Sequence, residues 1–147
     1  MDAEPVVNHP ILVSACLLGV ACNHEGKGRS VPAVSALASD ATLIPVCPEV
    51  AGGLPTPRPA AEVGPDRRVR TAGGEDVTDF YLRGADHAVS LALTSGAQRA
   101  VLKSRSPSCG CHEIYDGSHQ RRLVPGEGLT AQALRAAGLE VISEEDL

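Results

Sequence analysis

Aromatic side chains are almost missing from this 147-residue chain: it has no tryptophan, and Phe80, Tyr81 and Tyr115 are the whole set. Three rings are too few for a platform on which nucleic-acid bases stack. A basic excess is missing as well. Lys and Arg number 13 against 18 Asp and Glu, a formal net charge of −5, so no nucleic-acid partner is expected. Long apolar runs are also absent from the sequence. No stretch approaches the ~20 residues that span a bilayer, and no membrane partner is expected. The opening Met1-Asp2-Ala3-Glu4-Pro5 is acidic and broken by proline, so it does not read as a secretory signal or transit peptide, and a cytoplasmic location is expected.

What is present is the composition of a folded domain, 43% hydrophobic and 21% charged. The length suits one compact unit with a real core. Without repeats, low-complexity tracts or a linker, residues 1–147 read as a single domain with its core over 11–145.

Short apolar runs at Ile11–Ala15, Thr42–Val46, Arg99–Lys103 and Glu140–Ser143 read as strands. Pro45 lacks a ladder donor, which favours an edge. A helix is expected from Pro32 to about Asp40, proline suiting its first turn. A second helix begins near Val77, with Asp76 or Thr78 as cap, and stops at Gly96. Val77, Tyr81, Ala85, Ala88 and Ala92 form its apolar stripe. A third, capped by Thr130, runs through Ala137. The order β-α-β-α-β-α-β predicts an α/β fold, Rossmann-like, with a small, mainly parallel four-stranded sheet and right-handed crossovers. Two long loops interrupt it. The first, Cys47 to Gly74, is so rich in Pro and Gly that no helix is expected there, though Val69-Arg70-Thr71 suits a small accessory strand. The second runs from Ser104 to Gly128. Unstructured connections of this length are usually functional or disordered.

Five cysteines remain, an odd count that speaks against a disulfide framework. Cys16 directly follows the first strand, Cys47 the second, and Cys109 sits six residues past the third. In a parallel sheet the loops leaving the strands share the carboxyl edge, where open α/β sheets bind ligands. Three thiols 31 and 62 residues apart thus converge at one edge. Inert core cysteines have no reason to choose that position three times. Structural zinc takes four ligands, often in paired CxxC spacings, and that pairing is absent. Three thiolates from separate loops suit an iron–sulfur cluster, and with three protein ligands one iron of a cubane stays open. Glu49 stands two residues after Cys47, and Ser106 and Ser108 surround Cys109 with hydroxyls.

These segments carry a resemblance. Ser14-Ala15-Cys16-Leu17-Leu18-Gly19, Val46-Cys47-Pro48-Glu49, Gly53-Leu54-Pro55-Thr56-Pro57-Arg58, Leu102 through Gly110 and Ile114-Tyr115-Asp116-Gly117 stand in this order. The chain resembles the 2-thiouracil desulfidase family over about Ile11 to Glu145. The resemblance implies an oxygen-sensitive [4Fe-4S] cluster with one open iron, held by Cys16, Cys47 and Cys109 and supplied by cluster-assembly machinery. It implies non-redox desulfuration of a small thio-substrate, such as a thiolated nucleobase, to sulfide and the carbonyl product. It also implies Glu49 and a serine as acid/base partners, with Ser106 preferred and Ser108 the alternative. The chain departs from the family pattern after Cys22, where Asn23-His24-Glu25-Gly26 replaces an Arg-Tyr pair before an acidic residue and glycine. It departs again after Gly117, where Ser118-His119 replaces a hydroxyl residue and an aromatic. Both departures bear on the substrate pocket rather than on the ligands.

The other marked residues have plainer readings. Cys22 and Cys111 suit small loop residues or free thiols. Arg58, braced by Pro57 and Pro59, suits a loop-ordering pair with a carboxylate. His24, His112 and His119 suit solvated loop positions, and His112, beside Cys111, is the one placed to carry a proton. Tyr115-Asp116-Gly117 suits a turn. Two other functions fit the same cysteines: a non-catalytic metal or iron–sulfur sensor, and a sulfur carrier. Both predict metal or sulfur binding without turnover.

Overall fold

The computed structural model describes residues 9–147; the opening Met1–Pro5 lies outside the described residues. Four parallel strands form the sheet: β1 (His9–Ser14), β2 (Ala41–Val46), β5 (Arg99–Leu102) and β8 (Glu140–Ser143). Their spatial order is β2-β1-β5-β8. Pro45 therefore lies on an edge strand, as its missing donor favours.

The period of two is visible in how the central strands bury their side chains. Leu12, Ala100 and Leu102 face one layer, with Ala88 and Ala92 of the long helix α3 (Thr78–Ser95) and Leu134 of α4 (Leu129–Ala136). Ile11, Val13 and Val101 face the other, with Leu17 and Val34. Val34 belongs to α1 (Pro32–Ser35), which tightens into a 3-10 turn over Ala36–Ser39. The alanine stripe thus forms as its spacing predicts, and Gly96 ends α3 in the left-handed conformation.

Three expectations need correction. The Pro/Gly-rich stretch after Cys47 does hold a helical turn, α2 (Pro48–Ala51), with proline at its start. Each long loop also carries a small antiparallel hairpin: the accessory strand expected at Val69-Arg70-Thr71 forms as β4 (Val69–Thr71) and pairs with an unexpected β3 (Ala61–Val63), and β6 (Glu113–Tyr115) pairs with β7 (Leu123–Pro125). A third apolar cluster, with Val63, Val69, Tyr81, Ile114 and Leu129, seats both hairpins on α3 and α4. Thr130, finally, does not cap α4. Gly128 stands at the cap position, and Thr130 is inside the helix, fully buried, its hydroxyl 2.8 Å from that of Ser108.

The start of α4 nevertheless finds acceptors. The N–H groups of Leu129, Thr130 and Ala131 donate to the carbonyls of Pro107 and Ser108. Orphan donors at a helix start need such partners, and here they tie down the loop that carries Cys109. Glycine permits a second close approach. A Cβ on Gly84 of α3 would overlap the Pro48 carbonyl, and one on Gly52 would overlap that of Phe80. The backbones of α2 and α3 therefore touch, which places Glu49 against Tyr81.

Candidate active site

The chain leaves β1 for β2 on one side and later enters β5 on the other side of β1. That reversal opens a crevice at the carboxyl edge, where open α/β sheets bind ligands. A cavity of about 480 Å³ lies there. Cys16, in the 3-10 turn Ala15–Leu18 after β1, lines it. So does Cys47, between β2 and α2, and so does Cys109, from the loop after β5. Cys109 is the most enclosed of the three, 3% exposed. The three predicted thiols are brought together.

The surroundings of Cys109 and Cys16 keep those two thiols protonated until something replaces the proton. Burial pushes the Cys109 thiol up to about 12, against the pull of hydrogen bonds from the Ser14 and Ser108 hydroxyls. Burial also raises Cys16, with Cys47 beside it adding to the shift and Lys103 opposing it. A metal group would have to displace these protons on binding. The donor set fits an iron–sulfur cluster better than a single ion. Among the described residues, the only three ligating atoms within 4.8 Å of one another belong to Cys111, His112 and Asp146. Cys16, Cys47 and Cys109 are more widely spaced, as suits sulfurs bound to different iron atoms.

Cys22 is also at the cavity, buried, and raised to about 12 by burial and by Cys47. Its carbonyl accepts from the Cys47 thiol at 3.6 Å and from Arg58 Nη2 at 3.0 Å. Arg58 is the hub of this wall. Its side chain is only 3% exposed, and it donates from Nε to Glu49 at 3.2 Å and from Nη1 to Thr56 and Pro55. The proline-braced arginine thus pairs with a carboxylate, as its setting predicts.

Glu49 projects from the first turn of α2. Its Oε2 accepts from Arg58 and, at 3.0 Å, from the Tyr81 hydroxyl. No hydrogen bond engages Oε1 among the described residues. Tyr81 is the site residue that sequence reasoning missed. Its place in an apolar stripe identified the ring as core, while the phenol tip reaches the cavity; a lone hydroxyl in that stripe was the available signal. Burial and the neighbouring Glu49 raise the phenol far above its ordinary range, so it stays a donor.

Ser106 and Ser108 part company. Ser106 lines the cavity, and its Oγ accepts the N–H groups of Ser108 at 3.1 Å and Cys109 at 3.0 Å. That hydroxyl shapes the loop and still has its own proton to give. Ser108 is fully buried against Thr130 and does not line the cavity. Asn23, His24 and Glu25, the first departure from the family pattern, line the cavity, and the Asn23 side chain closes their turn through the N–H groups of Glu25 and Lys27. In the second departure, Glu62 accepts from the N–H groups of Gly117 and His119, joining the two hairpins. Tyr115 ends β6 and lines the cavity, so only Asp116-Gly117 keeps the turn reading. Cys111 and His112 lie elsewhere, His112 Nε2 standing 2.7 Å from Asp146.

The chain is similar to known proteins. The model of the family described as 2-thiouracil desulfurase matches residues 11–146. An uncharacterized protein of Bacillus subtilis (strain 168), YbbK, is 38% identical over 146 residues, a match spanning 93% of this chain and 97% of that one. The solved structure of a [4Fe-4S]-dependent thiouracil desulfidase, TudS, is 43% identical with a TM-score of 0.90, covering 95% of this chain and 93% of that one.

Proposed function

The chain belongs to the 2-thiouracil desulfurase family, and on that footing we propose that it is a [4Fe-4S]-dependent desulfidase that hydrolyses a small thiocarbonyl compound such as 2-thiouracil. One observation carries the reading: Cys16, Cys47 and Cys109, from three separate loops, meet at a cavity that Glu49 and Ser106 also line. Cys16, Cys47 and Cys109 would hold the cluster as thiolates, and when bound it would supply a thiophilic Lewis acid for the substrate sulfur.

The chain's own groups handle the protons. Arg58 and Tyr81 hold Glu49 by Oε2, which leaves Oε1 to take a proton from an attacking water. The Ser106 hydroxyl, held from behind by two backbone N–H donors, gives its proton to charge developing on the substrate ring. The balance is that of hydrolysis: water enters, carbon exchanges sulfur for oxygen, and hydrogen sulfide leaves with no net electron transfer. No described helix is long and apolar enough to cross a membrane. We place the protein in the cytoplasm, served by cluster-assembly machinery and without nucleic-acid or membrane partners.

The test is anaerobic reconstitution followed by addition of 2-thiouracil and measurement of released sulfide. Sulfide release that Glu49→Gln abolishes, at unchanged iron content, is the expected result. A loaded cluster without release from any thiocarbonyl would overturn the enzymatic reading in favour of a sensor or carrier.

A further inference from the structure

We propose that Cys111, His112 and Asp146 form a second metal site, for a single zinc ion, that ties the Cys109 loop to the turn after β8. None of the three lines the main cavity. Their ligating atoms all lie within 4.8 Å of one another, the spread expected around one ion rather than a cluster. A thiol, an imidazole and a carboxylate together suit zinc better than calcium or magnesium, which prefer oxygen alone. Three protein ligands leave a fourth tetrahedral position for water.

Both segments that carry the ligands are already fixed. Cys111 and His112 sit between the Cys109 loop and β6, where the N–H of Gly128 donates to the Gly110 carbonyl and that of Gly126 to the His112 carbonyl. Asp146 ends a 3-10 turn over Glu144–Asp146, held by its own capping box. Its Oδ2 accepts the Ser143 N–H at 2.8 Å, while no hydrogen bond engages Oδ1 among the described residues. One carboxylate oxygen can thus keep the turn while the other binds metal. Cys111 is buried, and its thiol makes no hydrogen bond among the described residues. A small space of about 30 Å³ lies against Cys111 and His112, room for about one or two water-sized occupants.

The surrounding charge favours a cation. Glu113, Glu145 and Arg105 border that space, and Arg105 is paired with both carboxylates, at 3.4 and 3.3 Å. With Asp146 counted, carboxylates outnumber cations. On binding, the Cys111 proton leaves to solvent and the His112–Asp146 hydrogen bond gives way to two metal bonds.

The test uses the cluster-loaded protein, equilibrated anaerobically with zinc chloride, desalted, and assayed for zinc and iron by mass spectrometry. About one zinc per chain is expected beside the cluster iron. Cys111→Ser and Asp146→Asn should each lower zinc retention at least about tenfold, with iron unchanged. The asparagine oxygen still accepts the Ser143 N–H, so Asp146→Asn keeps the fold and decides the matter if Cys111→Ser does not fold. Cys47→Ala should lose iron and keep zinc. Absence of zinc from the unaltered protein would overturn the proposal. So would zinc that survives Asp146→Asn, or zinc that only Cys47→Ala removes, which would place it in the cluster site.

Discussion

Removing the fork of Arg58 should loosen the wall of the cavity more than any exposed substitution could. Arg58→Leu keeps the apolar stem and deletes four polar contacts: to Glu49, to the carbonyls of Cys22 and Pro55, and to the Thr56 hydroxyl. Breaking a buried ion pair by removing one partner costs about 3–5 kcal/mol, because the other charge stays buried and alone. Glu49 is 14% exposed and keeps its bond to Tyr81, so the low end, about 3 kcal/mol, applies. For a chain near 150 residues, 1 kcal/mol moves the melting temperature by roughly 3 °C, so a fall of about 9 °C is expected. Arg58→Lys keeps the charge, but one ammonium cannot meet Glu49 and the Cys22 carbonyl together. About half the loss, roughly 5 °C, should follow. The assay is thermal unfolding of the metal-free protein by circular dichroism at pH 7 with reductant present, backed by urea titration. A fall below about 3 °C for leucine, or a lysine variant equal to the parent, would refute the view that the fork holds this wall.

Three other outcomes are expected. Gly84→Ala sets helix propensity, a gain of about 1 kcal/mol, against overlap with the Pro48 backbone, a loss of about 1–3 kcal/mol; urea denaturation should show net destabilisation, and a net gain would remove the α2–α3 contact from the account. Cys16→Ala, Cys47→Ala and Cys109→Ala should each lose cluster iron while Cys22→Ser retains it, and full iron in any of the first three would sink that ligand assignment. The hydroxyl and N–H of Thr78, with the Arg68 guanidinium, hold the Asp76 carboxyl well below the usual carboxylate range. A carboxyl lowered by folding stabilises the protein above its unfolded value near 4, and that support fades as pH falls through the folded value. Asp76→Asn should therefore melt below the parent at pH 7, with the gap narrowing only as pH falls below about 4; a constant gap would mean that the charge plays no part.

The strands and the long helix were legible because periodicity and burial are local signals. Leu12 and Val13 had to face opposite layers, Pro45 had to avoid a central strand, and Gly96 had to end α3. From four strands in alternation with helices, the parallel sheet followed, and with it the meeting of Cys16, Cys47 and Cys109 at one edge. Of the two hairpins, only the strand Val69–Thr71 was legible. Three-residue strands carry too little pattern to outweigh the prolines and glycines around them, and their pairing depends on the shared floor of Val63, Val69 and Ile114.

What the amino-acid order determined by itself, then, was the parallel sheet and which loops share an edge, since both follow from chain direction and side-chain alternation. Tertiary structure alone decided how the side chains in those loops divide their work. Tyr81 reaches from the apolar stripe to hold Glu49 because Gly84 and Gly52 let α2 and α3 touch. Ser106 faces the cavity and Ser108 the core because α4 donates its first N–H groups to the carbonyls of this loop. Such choices depend on contacts between residues tens of positions apart, and no local pattern in the sequence encodes them.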